Sequence, residues 1–112
     1  MDPDCLFCKI VAGQLPATII YQDAAVLAFA DVNPQAPTHV LVVPRAHWPD
    51  IGALSADPEA SAALLAGIKG TVEELNLDAY RVVFNTGAAS GQTVFHVHAH
   101  VLSGRTLNWP PG

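Results

Sequence analysis

The sequence predicts an α+β fold, a meander of about five antiparallel strands with one main helix and a short N-terminal helix. Three observations carry this. Short β-branched runs follow one another through brief turns, which favours antiparallel pairing. Only one stretch is long and periodic enough for a substantial helix. The chain has 112 residues, 51% of them hydrophobic and 13% charged, which suffices for one compact domain over residues 1–112 and not for two.

Taken in order, "CLFCKIVAG" reads as a short helix that Gly13 ends, and "QLPA" turns the chain. "TIIYQD" and "AVLAFAD" are two strands, joined closely enough for a hairpin. "DVNPQAPTH" is a loop held open by Pro34 and Pro37. "THVLVVPR" is a β-branched strand that Pro44 ends. The main helix is "SADPEASAALLAGIKGTVEEL", with Asp57 as N-cap and Pro58 at its first position. Leu64, Leu65, Ile68, Val72 and Leu75 form its apolar stripe, read as core-facing. "AYRVVFNTG" is a strand running into a turn, "AASGQT" a polar loop, and "VFHVHAHVLSG" the last strand.

Charge narrows the function classes. The formal net charge is −5, and the basic residues Lys9, Arg45, Lys69, Arg81 and Arg105 are scattered. With no basic run, a duplex nucleic-acid surface is not expected. A small anion remains possible where backbone N–H groups and imidazoles receive it. No apolar stretch approaches the roughly 20 residues that span a bilayer, and the N-terminus is acidic where a signal peptide would be basic. A cytoplasmic location and no membrane partner are therefore expected. Cys5 and Cys8 are then reduced. A thioredoxin-like role for "CLFC" lacks the βαβ unit it needs. Two readings stay open: a pair of buried apolar thiols, or half of a structural zinc site that needs two more ligands.

"HVHAHVL", His96 to Leu102, holds three of the five histidines. In a strand His96, His98 and His100 share one face, and Val97, Ala99 and Val101 the other. Neighbours on one face lie roughly 6.5–7 Å apart and the outer pair roughly 13 Å. At most two of the three can serve one metal. A solvent-facing metal-buffering tract would have no reason to alternate with Val, Ala and Val. Neutral imidazole is both nucleophile and proton carrier, which suits displacement at phosphorus or an acyl carbon. The preceding "NTGAASGQTVFH" brings Asn85, Gly91, Gln92 and Thr93 to the strand, with small residues, N–H groups and a hydroxyl suited to an oxyanion.

Beyond the histidines, "CLFCKIVAGQLPATIIYQD", "LAFADVNPQAPTHVLVVPRAH", "GQTVFHVHAHVLSGR" and the terminal "WPPG" resemble the histidine-triad (HIT) superfamily, and its nucleotide-binding (Hint) branch in particular. The likeness covers essentially the whole chain. It implies the HIT fold, a homodimer whose two sheets join, and hydrolysis, with a preference for purines, of nucleoside phosphoramidates such as adenosine 5′-phosphoramidate or lysyl-AMP. By the same resemblance His98 attacks phosphorus and forms a nucleotidyl-histidine intermediate, from which water releases the nucleoside monophosphate. Asn85, Gln92, Thr93 and His100 become phosphate contacts, with Thr93 standing where the branch usually has serine, and His39 a supporting residue. Asp31 becomes the ribose ligand, although a loop-capping aspartate explains it too. Leu6, Phe7, Ile10, Phe29 and Val32 become the base slot, against plain core packing for each taken singly. Members that keep the Cys-x-x-Cys bind zinc, which implies Cys5, Cys8, His47 and His96 as its ligands in a closed structural site. Competing functions are dinucleoside polyphosphate hydrolysis, a metallohydrolase with catalytic zinc, and nucleotide binding or protein interaction without turnover.

Overall fold

The computed structural model describes residues 2–112. Nine elements follow one another. They are helix α1 (Leu6–Val11), strands β1 (Ile19–Gln22), β2 (Val26–Ala30) and β3 (Thr38–Pro44), helices α2 (Ile51–Leu54) and α3 (Pro58–Glu74), strand β4 (Arg81–Val83), a 3-10 turn (Ala88–Ser90) and strand β5 (Ala99–Ser103). The sheet order is β1-β2-β3-β5-β4, and every neighbouring pair is antiparallel. The α+β expectation is therefore met. No helix among the described residues is long and apolar enough to cross a membrane.

Local chemistry explains the boundaries. Cys5 caps α1 through its sulfur, which accepts the Cys8 N–H. Gly13 follows at φ +76°, a left-handed conformation that closes the helix. Asp23 turns the β1–β2 hairpin, its Oδ1 accepting from the N–H groups of Ala25 and Val26 at 2.8 and 2.9 Å. Asp57 accepts from Ala60 N–H at 3.0 Å, and Pro58 occupies the first turn of α3.

Two layers cover the sheet. Val26, Ala28, Val40, Val42, Val97, Ala99 and Val101 pack against Leu54, Leu64, Ile68 and Val72 of the helical side. Leu27, Phe29, Leu41 and Val43, alternating with them, pack against Phe7, Cys5 and Cys8 on the other. β2 and β3 are thus buried on both faces, which is why they read as continuous apolar runs. Gly67 makes the α3–β2 approach possible, since a Cβ there would lie 2.9 Å from Val26 Cγ1.

Two expectations need correction, and one short helix carries no clear sequence signal. Leu65 is 63% exposed and leaves the stripe, where Gly67 and Thr71 are buried instead. Gly67 lets α3 sit close to Val26, and the buried face runs through Leu64, Gly67, Ile68 and Thr71 while Leu65 faces outward. The last strand begins at Ala99, not at Val94. The β3–β5 ladder stops at Val42↔Ala99, just short of Pro44, which has no N–H to offer. Val97 N–H turns instead to the Trp48 carbonyl at 2.7 Å. Finally, the α2 turn after "PRAHWPD" was not legible as a helix; Asp50 caps it by accepting from Ala53 N–H at 2.9 Å.

Candidate active site and metal centre

The register assembles the site. Phe29 lies opposite Leu41, and Leu41 opposite His100, so three strands place one row of side chains on the α1 face. Phe7 covers this row from above, 5.4 Å from Phe29 and 5.0 Å from His98 between ring centroids, both edge-on. The result is a cleft of about 800 Å³. Its apolar walls include Leu6, Phe7, Ile10, Phe29 and Leu41, with Val32 at its mouth, fully exposed. Leu15, Pro16, Ala17 and Thr18 complete the far wall. These four carry no sequence signal beyond a turn; Leu41 could have been found from its parity with His39. Asp31, Thr93, His98 and His100 supply the polar end.

His98 and His100 present opposite chemistry to the cleft. His98 Nδ1 lies 2.8 Å from the His96 carbonyl and must donate to it. Its Nε2 is then a bare lone pair. Burial lowers its pKa, against the pull of the His96 carbonyl and Asp31, so the ring is neutral at pH 7. His39 Nδ1 accepts the Gln35 N–H at 3.0 Å, which leaves its own proton on Nε2. That Nε2–H faces His100 Nδ1 at 2.9 Å and Asp31 Oδ2 at 3.3 Å. His100 therefore accepts at Nδ1 and carries its proton on Nε2. Burial above all, then the neighbouring His98 and His39, pushes its pKa down to about 4. The two rings lean together, 4.9 Å between centroids, closer than an ideal strand would hold them.

The remaining expected residues divide. Asp31 is partly spent on its own loop, since Oδ1 accepts from Asn33 N–H at 2.8 Å. Each oxygen keeps a lone pair for a ligand. His39 is buried behind His100 and does not line the cleft. Thr93 is exposed at the cleft. Asn85 and Gln92 stand outside its lining. Gln92 is buried and its amide is occupied: Oε1 accepts from Gly87 N–H at 2.9 Å, and Nε2 donates to the carbonyls of Pro49 and Val94 at 2.7 and 3.2 Å. It braces the loop. Gly91, at φ +98°, lets that loop turn beside Asn85.

A second cluster lies under α1. Cys5 Sγ, Cys8 Sγ, His47 Nδ1 and His96 Nδ1 all fall within 4.8 Å of one another. His96 Nδ1 is 3.4 Å from Cys5 Sγ, 3.6 Å from Cys8 Sγ and 3.2 Å from His47 Nδ1, and Cys8 Sγ is 3.4 Å from His47 Nδ1. Edges of about 3.3–3.8 Å are what a tetrahedral zinc with ordinary Zn–N and Zn–S bonds requires. His96 Nε2 lies 2.8 Å from the Pro44 carbonyl and donates to it, which turns the Nδ1 lone pair toward the cysteines. Without a metal, burial raises the Cys5 thiol pKa. The donor set and its geometry fit a closed structural metal site, and the four residues are those expected from the sequence.

With this geometry in hand, similarity decides the family. The HIT-domain family model matches residues 12–107. The chain belongs to the HIT family. An uncharacterised HIT-like protein of Synechocystis is 46% identical over 114 residues and aligns across 100% of both chains. A 14 kDa zinc-binding protein of Zea mays is 43% identical, over 99% of this chain and 90% of its own. Among solved structures, a HIT family hydrolase from Legionella pneumophila superposes with a TM-score of 0.91 at 44% identity, over 97% of this chain and 100% of that one. A histidine triad protein from Clostridium difficile gives 0.90 at 38%, over 96% of each. The fold is thus the HIT fold.

Proposed function

We propose that this HIT protein is a purine-preferring nucleoside phosphoramidate hydrolase of the Hint type, acting on substrates such as adenosine 5′-phosphoramidate or aminoacyl- and lysyl-AMP. The observation that carries the reading is the tautomer pair: a lone pair on His98 Nε2 beside a donor on His100 Nε2, at the polar end of one apolar cleft. His98 Nε2 attacks the α-phosphorus, forming a P–N bond as the bond to the leaving amine breaks. The amine departs neutral, taking one proton from solvent, and the water that later displaces His98 gives one back. Water then displaces His98 and the nucleoside monophosphate leaves. Splitting one displacement into two suits imidazole, because the bond it forms is itself labile.

The other residues have supporting roles in this proposal. His100 Nε2–H and the Thr93 hydroxyl hold the phosphoryl oxygens, with no Lys or Arg lining the cleft. His39 keeps His100 in its donor tautomer. Asp31 binds the ribose hydroxyls, and Leu6, Phe7, Ile10, Phe29 and Val32 hold the base between flat walls. Asn85 and Gln92 serve the phosphate through the loop they shape, with Gln92 as its strut. Cys5, Cys8, His47 and His96 hold zinc, in keeping with the zinc-binding relative from maize. When bound, it supplies bracing only, since four protein ligands leave no open position for water. A homodimer joined at a sheet edge belongs to the same proposal; β4 offers one edge of the sheet. Turnover of adenosine 5′-phosphoramidate against diadenosine triphosphate tests the substrate class. Faster cleavage of the phosphoramidate is expected, and exclusive cleavage of the polyphosphate overturns the assignment.

A further inference from the structure

The two sites share walls. α1 is only six residues long, too short to hold its shape by backbone bonds alone. It carries both thiols, Cys5 as cap and Cys8 in the next turn, and between and beyond them Leu6, Phe7 and Ile10 of the cleft. Phe7 stands at the junction. Its ring meets His96 at 6.0 Å, His98 at 5.0 Å and Phe29 at 5.4 Å, edge-on in each case. One side chain therefore touches a metal ligand, the nucleophile and the base wall.

His96 joins the sites a second way. Its ring offers Nδ1 to the cysteines and anchors Nε2–H on the Pro44 carbonyl. Its own backbone carbonyl accepts the His98 Nδ1–H at 2.8 Å. A displacement of this ring moves the peptide that fixes the nucleophile's tautomer. Val97, the intervening residue, is buried and tied to Trp48, so the linkage has little slack.

We propose that Phe7 and His96 are positioning residues that couple metal occupancy at Cys5, Cys8, His47 and His96 to nucleotide affinity in the cleft. The inference rests on the nucleotide reading of the cleft given above. Coupling between two binding equilibria is reciprocal. A clamped α1 raises nucleotide affinity, and a bound nucleotide raises metal affinity by the same factor.

The test uses the full chain, kept reduced, in zinc-loaded and zinc-stripped forms whose folding is checked by circular dichroism. Calorimetry gives the Kd for adenosine 5′-monophosphate in each. Competition with a chromophoric chelator gives the zinc Kd with and without saturating nucleotide. About 5- to 100-fold tighter nucleotide binding by the loaded form is expected, with an equal tightening of zinc by nucleotide. Equal nucleotide affinity in both forms overturns the inference alone. Absence of nucleotide binding by the loaded chain overturns the proposed function and the inference with it. Should the stripped chain unfold, zinc-loaded Phe7→Leu, which keeps an apolar side chain, decides. Because Phe7 also walls the base, the readout is the coupling: the tightening of zinc by saturating nucleotide is expected to shrink against wild type, while the His98 ring ¹⁵N shifts report a less uniform tautomer. A wild-type coupling factor and wild-type shifts in that variant overturn the proposal.

Discussion

The two faces of the sheet are made from the same strands and do different work. Toward α3, the fully buried apolar strand side chains are all Val or Ala, and the buried polar helix residue, Thr71, bonds its own helix at the Gly67 carbonyl, 2.8 Å away. Toward α1, His39 on β3 and His96 and His98 in the segment leading into β5 meet Cys5 and Cys8 of the α1 segment, all buried and all hydrogen-bonded. Period-two alternation makes this division possible. Stability and chemistry can be altered separately because neighbouring residues point to opposite faces. The comparison also explains Val97, Ala99 and Val101: they anchor the histidines from behind.

The sharpest break comes from His98→Ala. It is expected to lower kcat by at least about 10³-fold, as loss of a nucleophile does, with the thermal midpoint little changed. On the opposite face Leu64→Ala is expected to do the reverse. It costs about 2–5 kcal/mol in denaturant unfolding and leaves kcat of the folded fraction near wild type. If both variants lost activity and stability together, the division between faces would fail.

Cys8→Ser sits between these cases. It is expected to abolish stoichiometric zinc, measured by metal analysis, and to lower stability. The sign with pH follows from the thiols. Burial holds the Cys5 proton on, so zinc must displace it, and zinc affinity falls as pH falls. Asp31→Ala is expected to raise KM by about tenfold, as loss of one charge-assisted hydrogen-bond site does, with a smaller change in kcat. Unchanged kinetics would remove Asp31 from the ribose site and leave it as the loop cap seen at Asn33.

The smallest effect is in pH-dependent stability. Burial above all, then the facing His98 and His39, disfavours charge on His100; only Asp31 favours it, and the pKa falls to about 4. The unfolded chain takes up this proton near the ordinary value of about 6.5. Between those limits the unfolded state binds more protons, so stability falls as pH drops from 6.5 toward 4. His100→Gln is expected to flatten that slope in urea titrations across the window, and an unaltered slope would assign the effect elsewhere.

Much of this was readable from residues. The β-branched apolar run in "THVLVVPR" and the caps at Asp57 and Pro58 are local, and local signals survive folding. The metal ligands were readable only through resemblance, because His47 and His96 are brought to "CLFC" by tertiary structure. What escaped depends on distant partners. The start of β5 is set by Pro44 on another strand, and the buried face of α3 runs through Gly67, close to Val26, while Leu65 faces outward. Gln92 looked like a phosphate ligand by its place in the motif. Its amide is consumed by Gly87, Pro49 and Val94, a fact no local pattern could show.

The central claim is that His98 forms a covalent bond to phosphorus. Acid-quenched mixing with adenosine 5′-phosphoramidate, read by intact mass spectrometry, tests it most directly. An adenylyl adduct is expected on the wild type, mapping to His98 and absent from His98→Ala. Turnover by the wild type with no adduct, or with undiminished rate in folded His98→Ala, would contradict that claim.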